Sequence, residues 1–210
     1  MDKKTEKTIN VIIISLVVLL FLLIFNVYFD KTKDHYMWEG PAGDFEFNVD
    51  STQGITFHLL KLEDVSGHKD NVPFEYGPKE LEYISYDGDI TDKLVGKELI
   101  YITQNPEDST ISSGRTVIAS LTVYRILNRP VVPFVNTAAN VAITQMYEGY
   151  DNQLAIVNCD DVSETQGVVL LKQGFSNSMY LEGDCVVLEF VEGDSVKVAT
   201  AFVYRALGVL

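Results

Sequence analysis

The sequence has few of the residues on which small catalytic and metal-binding proteins depend. Of its 210 residues only two are cysteine and three are histidine. Two cysteines are too few for a disulfide-dense scaffold or a cysteine-rich zinc site. No histidine has a neighbour at metal-ligand spacing, no serine stands in a nucleophile-elbow motif, and no glycine-rich loop leads into a helix as phosphate binding requires. We therefore expect no metal and no cofactor, and favour a protein that is not an enzyme.

Basic residues are scarce as well. Lysine and arginine number 16 against 30 aspartates and glutamates, which gives a formal net charge of −14 at pH 7. Such a charge repels the phosphates of nucleic acids. The acidic residues are spread along the chain, as on a solvated and self-repelling surface. The composition therefore argues against a nucleic-acid partner.

The densest acidic region spans residues 63–92, where nine acidic residues are accompanied by two lysines. Its last part holds three aspartates but lacks the loop length and the terminal glutamate of a calcium-binding EF-hand. Two interpretations stay open, a solvated loop and a docking surface for a basic partner. The candidate partner-binding residues are Glu63, Asp64, Asp70, Glu75, Asp87, Asp89 and Asp92.

Near the N-terminus lies one long apolar run. Residues 9–29 read INVIIISLVVLLFLLIFNVYF and contain no charged residue, glycine or proline. At a rise of about 1.5 Å per residue, a helix of this length spans about 30 Å, the thickness of the hydrocarbon core of a bilayer. No small-residue cleavage site follows it. The pattern predicts a single transmembrane helix, an uncleaved signal anchor, after a short tail at residues 1–8.

Lysines flank the predicted helix unevenly. Lys3, Lys4 and Lys7 precede it, whereas Lys31 and Lys33 follow it. The positive-inside rule then predicts a single-pass membrane protein with its N-terminus in the cytoplasm and its C-terminal domain outside. Aromatic residues just beyond the predicted helix suit the membrane interface, and they are Tyr28, Phe29, Tyr36 and Trp38. For Trp38 the alternative is that it packs beneath the domain.

The two cysteines are the only candidates for a covalent cross-link. In an exported domain Cys159 and Cys185 are a candidate disulfide, because oxidising compartments favour such bridges. A bridge of this loop size contributes on the order of 3 kcal/mol in the chain-entropy model. The alternative is that both are small, half-buried strand residues.

The rest of the chain has the pattern of β-strands. Beyond a juxtamembrane linker at residues 30–43, apolar alternation and β-branched residues predict strands and no long amphipathic helix. The predicted strands include 99–103, 116–127, 186–190 and 196–206. We therefore expect an all-β extramembrane region.

An internal repeat supports this interpretation. The letters VYR occur at residues 123–125 and recur at residues 203–205. Each copy is predicted as a glycine, a strand, a hairpin and a long strand that ends in Tyr-Arg. The predicted organisation is one β-rich repeat at residues 44–128 and a second at residues 129–210.

The architecture resembles small Greek-key barrels of the OB type. The pattern that carries the resemblance is a glycine, an apolar strand, a turn and a long strand, over residues 94–127 and 181–207. OB barrels often bind nucleic acid or sugar through a basic or aromatic face, and the acidic charge of this chain departs from the nucleic-acid form. A two-sheet β-sandwich fits the same strands.

Two functional hypotheses follow. The first is a membrane-anchored, extracytoplasmic domain that acts as a structural or protein-interaction component of a cell-envelope or surface assembly, with other envelope proteins as partners. The second is a tethered ligand-binding or hydrolytic domain that acts on a cell-surface polymer. Its site would be a groove lined by carboxylates and by some of the tyrosines Tyr76, Tyr83, Tyr86, Tyr147, Tyr150 and Tyr180.

Overall fold

The computed structural model describes residues 16–21, 35–52, 54–107, 114–148 and 153–210. The described chain forms a four-stranded sheet, a seven-stranded sheet and two helices of three turns, α1 (Arg115–Leu127) and α2 (Ser195–Ala206). Most of the regular structure is β-strand. The strand-rich character expected from the alternating pattern is therefore confirmed.

The first sheet is an antiparallel meander in chain order. Strands β1 (His35–Gly40), β2 (Gly43–Thr52), β3 (Ile55–Glu63) and β4 (Lys69–Phe74) pair each with the next. Because side chains alternate between the two faces of a strand, every second residue points to one side. A buried row of cross-strand neighbours on that side holds the sheet to the core, and it consists of Phe47, Leu60 and Val72.

The second sheet is mostly parallel. Its spatial order is β5-β10-β11-β9-β6-β7-β8, and β6, β7, β8, β9 and β11 run in the same direction. The central strands are apolar runs buried on both faces, as in parallel sheets covered on both sides. The strands are β5 (Ser85–Tyr86), β6 (Leu99–Gln104), β7 (Ala138–Ile143), β8 (Ala155–Ile156), β9 (Gln166–Gln173), β10 (Ser178–Glu182) and β11 (Cys185–Phe190).

Both helices pack against the second sheet, and α2 also contacts the first sheet. Helix α1 links the parallel strands β6 and β7, and helix α2 follows β11 and packs against α1. The Tyr204 ring of α2 contacts the Phe47 and Phe74 rings of the first sheet, with ring centroids 5.8 and 4.9 Å apart. One continuous apolar core therefore joins the first sheet, the helices and one face of the second sheet.

The all-β prediction, as Greek-key OB-like barrels or a sandwich, is wrong. The segments 116–127 and 196–206, predicted as long strands, are the helices α1 and α2. In α1 the buried residues Ala119, Val123, Ile126 and Leu127 follow the helical spacing of 3.6 residues per turn. Their Val, Thr and Tyr neighbours favour strands locally, and packing between the sheets overrides that preference.

The internal repeat is therefore not a pair of hairpins. Both VYR segments are helical and follow a strand of the parallel sheet. Their arginines make corresponding contacts, because Arg125 donates to the carbonyl oxygen of Pro73 and Arg205 to that of Ile84. The predicted duplication itself, and the boundaries at residues 44–128 and 129–210, stay predictions.

The predicted single-pass anchor is contradicted. Within the residues that the structure describes, no helix is long and apolar enough to cross a membrane. Residues 16–21 are helical and exposed. The rest of residues 9–29 and the flanking lysines lie outside the described residues. The signal anchor, the membrane location and the orientation based on it are therefore not supported.

A disulfide closes the far side of the second sheet. Cys159 begins the 3-10 turn Cys159–Asp161, and Cys185 begins β11, with their Cα atoms 5.2 Å apart. Cys185 is fully buried in a small second cluster with Ala142, Val157 and Val168. The bridge thus ties the turn before β9 to the face of the sheet that does not meet the helices.

Candidate functional site

An open groove lies beside strand β1, where the first sheet extends past the helix layer. The groove has a volume of about 540 Å³. Side chains two residues apart on a strand share a face, so Tyr36 and Trp38 both point to it from β1, and Thr56 and His58 do so from β3. We call it the β1 groove, and its lining consists of Tyr36, Trp38, Thr56, His58, Glu75, Gly77, Lys79 and Glu80.

A chain of three contacting side chains crosses the groove. The Tyr36 hydroxyl lies 2.9 Å from His58 Nδ1, and His58 Nε2 lies 3.4 Å from Glu80 Oε2. The Gly77 backbone N–H also donates to Glu80 Oε2 at 2.7 Å. The groove therefore holds the His58 ring between a phenol hydroxyl and a carboxylate.

Burial shifts the pKa values of Tyr36 and His58. It raises the pKa of Tyr36 well above its usual value, and the nearby Glu80 carboxylate adds to the effect. Burial lowers the pKa of His58, and Glu80 opposes that shift. Tyr36 is consequently a protonated phenol and His58 a neutral imidazole at pH 7. The Tyr36 phenol is not activated as a nucleophile, since a catalytic tyrosine needs its pKa lowered.

Gly77 leaves the space that the Tyr36 and His58 side chains occupy. A Cβ atom at that position would lie 2.9 Å from His58 Cε1 and 3.1 Å from the Tyr36 hydroxyl oxygen. Residues this close would have to move by a few tenths of an ångström or more. Substitution of Gly77 by alanine therefore perturbs the groove without changing its charge.

The aromatic walls of the groove are fixed from behind. The Trp38 indole donates to the carbonyl oxygen of Val209 at 2.8 Å. The Tyr36 ring stacks on Phe47 with centroids 5.0 Å apart and an interplanar angle of 2°. Both rings are partly buried, so they present a pre-organised apolar surface to the groove.

The charged residues of the groove differ in how they are held. Arg115 donates to the Glu75 carboxylate at 2.9 Å and to the Tyr76 hydroxyl at 3.2 Å. The Glu80 side chain is 55% exposed, and Lys79 is exposed at the rim. The accessible negative charge of the groove is therefore mainly that of Glu80.

The predicted acidic docking surface is not brought together by the fold. Lys69 pairs with Glu63 at 3.3 Å and Arg129 with Asp70 at 2.8 Å. Asp64 closes its own turn by accepting from the backbone N–H groups of Ser66 and His68. Three members of the set lie instead beside β5 in the other sheet, and they are Asp87, Asp89 and Asp92. Of the seven candidates only Glu75 lines the β1 groove.

The tyrosines proposed for a polymer-binding groove do not line the β1 groove either. Tyr76 contacts Arg115, Tyr83 and Tyr86 lie at the β5 edge, and Tyr180 donates to Glu189 at 3.2 Å. Tyr147 is exposed after β7, and Tyr150 lies outside the described residues. The groove residues that sequence reasoning missed are Tyr36, Trp38, His58 and Glu80, of which the first two had been placed at a membrane interface.

The described part of the chain also lacks a candidate metal site. Residues 35–52, 54–107, 114–148 and 153–210 contain no group of three or more His, Cys, Asp or Glu that could hold a metal ion. Comparison with known protein families, curated proteins and solved structures finds no match for the chain. The geometry of the groove alone therefore supports the functional proposal.

Proposed function

We propose that this domain is a non-catalytic protein-interaction domain whose β1 groove binds a basic segment of a partner protein. The observation that supports the proposal is the convergence of two aromatic rings and a half-exposed carboxylate in one open groove of an acidic protein. A concave, partly apolar groove with a few convergent polar groups is the usual form of a binding site.

A lysine or arginine side chain matches this lining. Its methylene stem packs on aromatic rings while its charged end seeks a carboxylate, and a cation over an aromatic face gains about 0.5–1 kcal/mol or more. Trp38 and Tyr36 provide the rings and Glu80 the carboxylate. Glu80 accepts one hydrogen bond from Gly77, and an ionised carboxylate has capacity for more.

The charge of the whole protein favours the same partner. A formal charge of −14 raises the local concentration of basic ligands and increases their association rate. Lys79 at the rim opposes the approach of a cation. We therefore expect Lys79→Gln to strengthen binding modestly.

A carbohydrate is the second candidate ligand. Thr56, His58 and Glu80 offer hydroxyl, imidazole and carboxylate groups next to the aromatic rings, a combination that also suits the hydroxyls and the apolar face of a sugar.

Intrinsic fluorescence tests the proposal directly, because Trp38 is the only tryptophan in the chain and lines the groove. The full-length protein is titrated with a lysine-rich peptide, a glutamine peptide of equal length and a neutral oligosaccharide. We expect a saturable change in Trp38 emission with the lysine peptide alone. A response to the oligosaccharide alone would favour the second candidate, and equal responses to both peptides would refute the proposal.

Two matched variants sharpen the titration. Glu80→Gln removes the groove carboxylate with little change of shape, so we expect about tenfold weaker peptide binding, as for the loss of about 1.4 kcal/mol. Asp89→Asn removes one charge from an exposed turn outside the groove and should bind like the unaltered protein. If both weaken binding equally, the peptide responds to net charge and not to the groove.

A further inference from the structure

The edges of the second sheet offer little room for another strand. An exposed edge presents unpaired backbone N–H and C=O groups, and proteins commonly shorten such edges, place proline in them or cover them. The edge strands β5 and β8 have two residues each. Strand β10 extends past β5 only over residues 180–182, and where β7 extends past β8, Asn128 bonds both backbone groups of Ala139. A strand added at either edge would form few backbone hydrogen bonds.

Strand β4, at one edge of the first sheet, is blocked. Pro73 has no backbone N–H, and Arg125 of α1 donates to its carbonyl oxygen at 2.7 Å. Arg129, just after α1, pairs with Asp70 of the same strand at 2.8 Å. Proline in the strand and a covering element beside it are two of the usual ways in which proteins protect an edge. This edge therefore has no free row of backbone groups.

Strand β1, at the other edge of the first sheet, has none of these protections. It is six residues long and contains no proline or lysine. The two-residue turn between Gly40 and Gly43 makes those two residues a hydrogen-bonded pair, and bonded and non-bonded pairs alternate along an antiparallel ladder. Every second residue of β1 therefore turns its backbone groups away from the sheet, and these residues are His35, Met37 and Glu39. No residue in the described part of the chain bonds to those outward groups.

The β1 groove adjoins this free edge. Tyr36 and Trp38 point into the groove, so the exposed Met37 side chain between them lies on the opposite face of β1. In an antiparallel addition, the residue opposite Met37 exchanges two backbone hydrogen bonds with it, and its side chain shares the face of Met37. The residues before and after it then place their side chains beside Tyr36 and Trp38. Every second side chain of an added strand would thus face the groove.

The charges along this edge favour a basic strand. Glu46 of β2 pairs with Lys61 and lies 3.9 Å from His35. In the groove Glu75 pairs with Arg115. Three carboxylates and one ammonium remain on β1, on the part of β2 that pairs with it and in the groove, and they belong to Glu39, Asp44, Glu80 and Lys79. The same excess of negative charge opposes pairing of β1 with β1 of a second copy.

We infer that the basic segment of the partner adds to β1 as a fifth, antiparallel strand of the first sheet. Its backbone bonds to the outward groups of β1, and its lysine or arginine side chains at alternate positions lie along Tyr36 and Trp38 on the side of Glu80. Main-chain hydrogen bonds then supply affinity and the groove supplies specificity, as in other peptides that extend a sheet. The inference rests on the function proposed for the β1 groove, and it adds the conformation of the ligand and its pattern, basic at every second residue.

N-methylated peptides test the added strand on the unaltered, full-length protein. A peptide of alternating lysine and threonine is compared with two versions, one N-methylated at its threonines and one at its lysines. In the proposed register the threonine N–H groups bond to β1 and the lysine N–H groups face solvent. We therefore expect methylated threonines to weaken binding about tenfold or more and methylated lysines to have little effect, as measured by Trp38 emission. Equal binding of the two versions, or the reverse order, would overturn the inference and leave the groove proposal standing, whereas no binding of the unmethylated peptide would overturn both.

A proline on the edge tests the same contact from the side of the protein. Met37→Pro removes an outward N–H group and no bond to β2, and edge strands tolerate proline. Met37→Thr is the matched control, because it changes the same exposed side chain and keeps the N–H group. With both variants shown to be folded by circular dichroism, we expect the proline variant to bind the unmethylated peptide about tenfold more weakly than the threonine variant, and equal binding would contradict the added strand. Sedimentation velocity without peptide should give a monomer, and self-association that Met37→Pro abolishes would identify a second copy as the occupant instead. The comparison of methylated peptides does not depend on this variant.

Discussion

Helices α1 and α2 contain the same Val-Tyr-Arg sequence, at residues 123–125 and 203–205, yet they differ in how much of each is covered. Helix α2 lies between the two sheets and buries ten residues. Helix α1 packs one face on β6, β7 and α2, and its opposite face is exposed. Layer position, more than residue type, should therefore determine how much each shared residue stabilises the fold.

The tyrosines of the shared sequence should show the largest difference. Tyr204 is fully buried between Phe47 and Phe74 and donates to the Tyr76 carbonyl oxygen at 2.9 Å, whereas Tyr124 is exposed. We expect Tyr204→Ala to lower the free energy of unfolding by about 3–5 kcal/mol, as for other buried aromatic residues. Tyr124→Ala should cost less than about 1 kcal/mol. Urea denaturation measures both free energies of unfolding. Equal losses in the two variants would contradict the expected difference between the helices.

The arginines should differ less. Arg205 lies 3.7 Å above the Tyr86 ring and donates to Ile84, whereas Arg125 lies 5.7 Å from the Phe74 ring and donates to Pro73. We expect Arg205→Ala to cost about 2 kcal/mol and Arg125→Ala about 1 kcal/mol, because the closer stacking adds to the hydrogen bond. Lysine should not restore either, since it lacks the planar guanidinium. A larger loss at Arg125 would contradict this order.

Alkaline pH gives a further test of burial. Burial raises the pKa of Tyr204 well above its value in an unfolded chain, which is about 10. Above that pH the unfolded chain releases a proton that the folded protein retains, so stability falls as pH rises. In Tyr204→Phe the free energy of unfolding should decline less steeply above pH 10, as followed by urea denaturation. Tyr124→Phe is the matched control and should keep the original slope.

Two threonines should show the smallest difference. Thr122 donates to the carbonyl of Ile118 and Thr200 to that of Val196, both at 2.8 Å and four residues earlier in the helix. Valine has the same shape and lacks the hydroxyl, and these carbonyls keep their helical bonds. We expect Thr122→Val and Thr200→Val to change the free energy of unfolding by less than about 1 kcal/mol. A loss of several kcal/mol at Thr200 alone would show that its hydroxyl has another role.

The sheets were easier to predict than the helices for a physical reason. Period-two alternation marks Phe47 and Leu60, and unbroken apolar runs mark the central strands, so those strands were found. Strand β4, which contains Val72, lies in the acidic region 63–92, for which no strand was predicted before Leu81. Helix α2 is buried on nearly all sides, so it lacks the polar face that normally reveals a helix. Its β-branched residues then suggested a strand, and those of α1 suggested one in the same way.

The β1 groove was beyond sequence reasoning for a different reason. Tyr36, His58 and Glu80 are separated by 22 positions each. The register of β1, β2 and β3 brings Tyr36 to His58, and the turn Pro78–Glu80 after β4 adds Glu80. Strand β1 itself lies within residues 30–43, for which no strand was predicted. Exposed and partly buried residues alternate along His35–Gly40, as expected for a strand. A single tyrosine and a single histidine, however, have no sequence spacing that predicts a binding site.

The bond from Trp38 to Val209 joins residues 171 positions apart, and Ala42 similarly donates to the carbonyl of Gly208. During synthesis the first sheet therefore emerges long before the residues that secure it. Its core-facing side, with Phe47 and the rings of the β1 groove, stays uncovered until α2 has been made and docked. Contacts of such sequence separation slow folding and prolong exposure of apolar surface, so the nascent first sheet is the part of this protein most dependent on protection from aggregation.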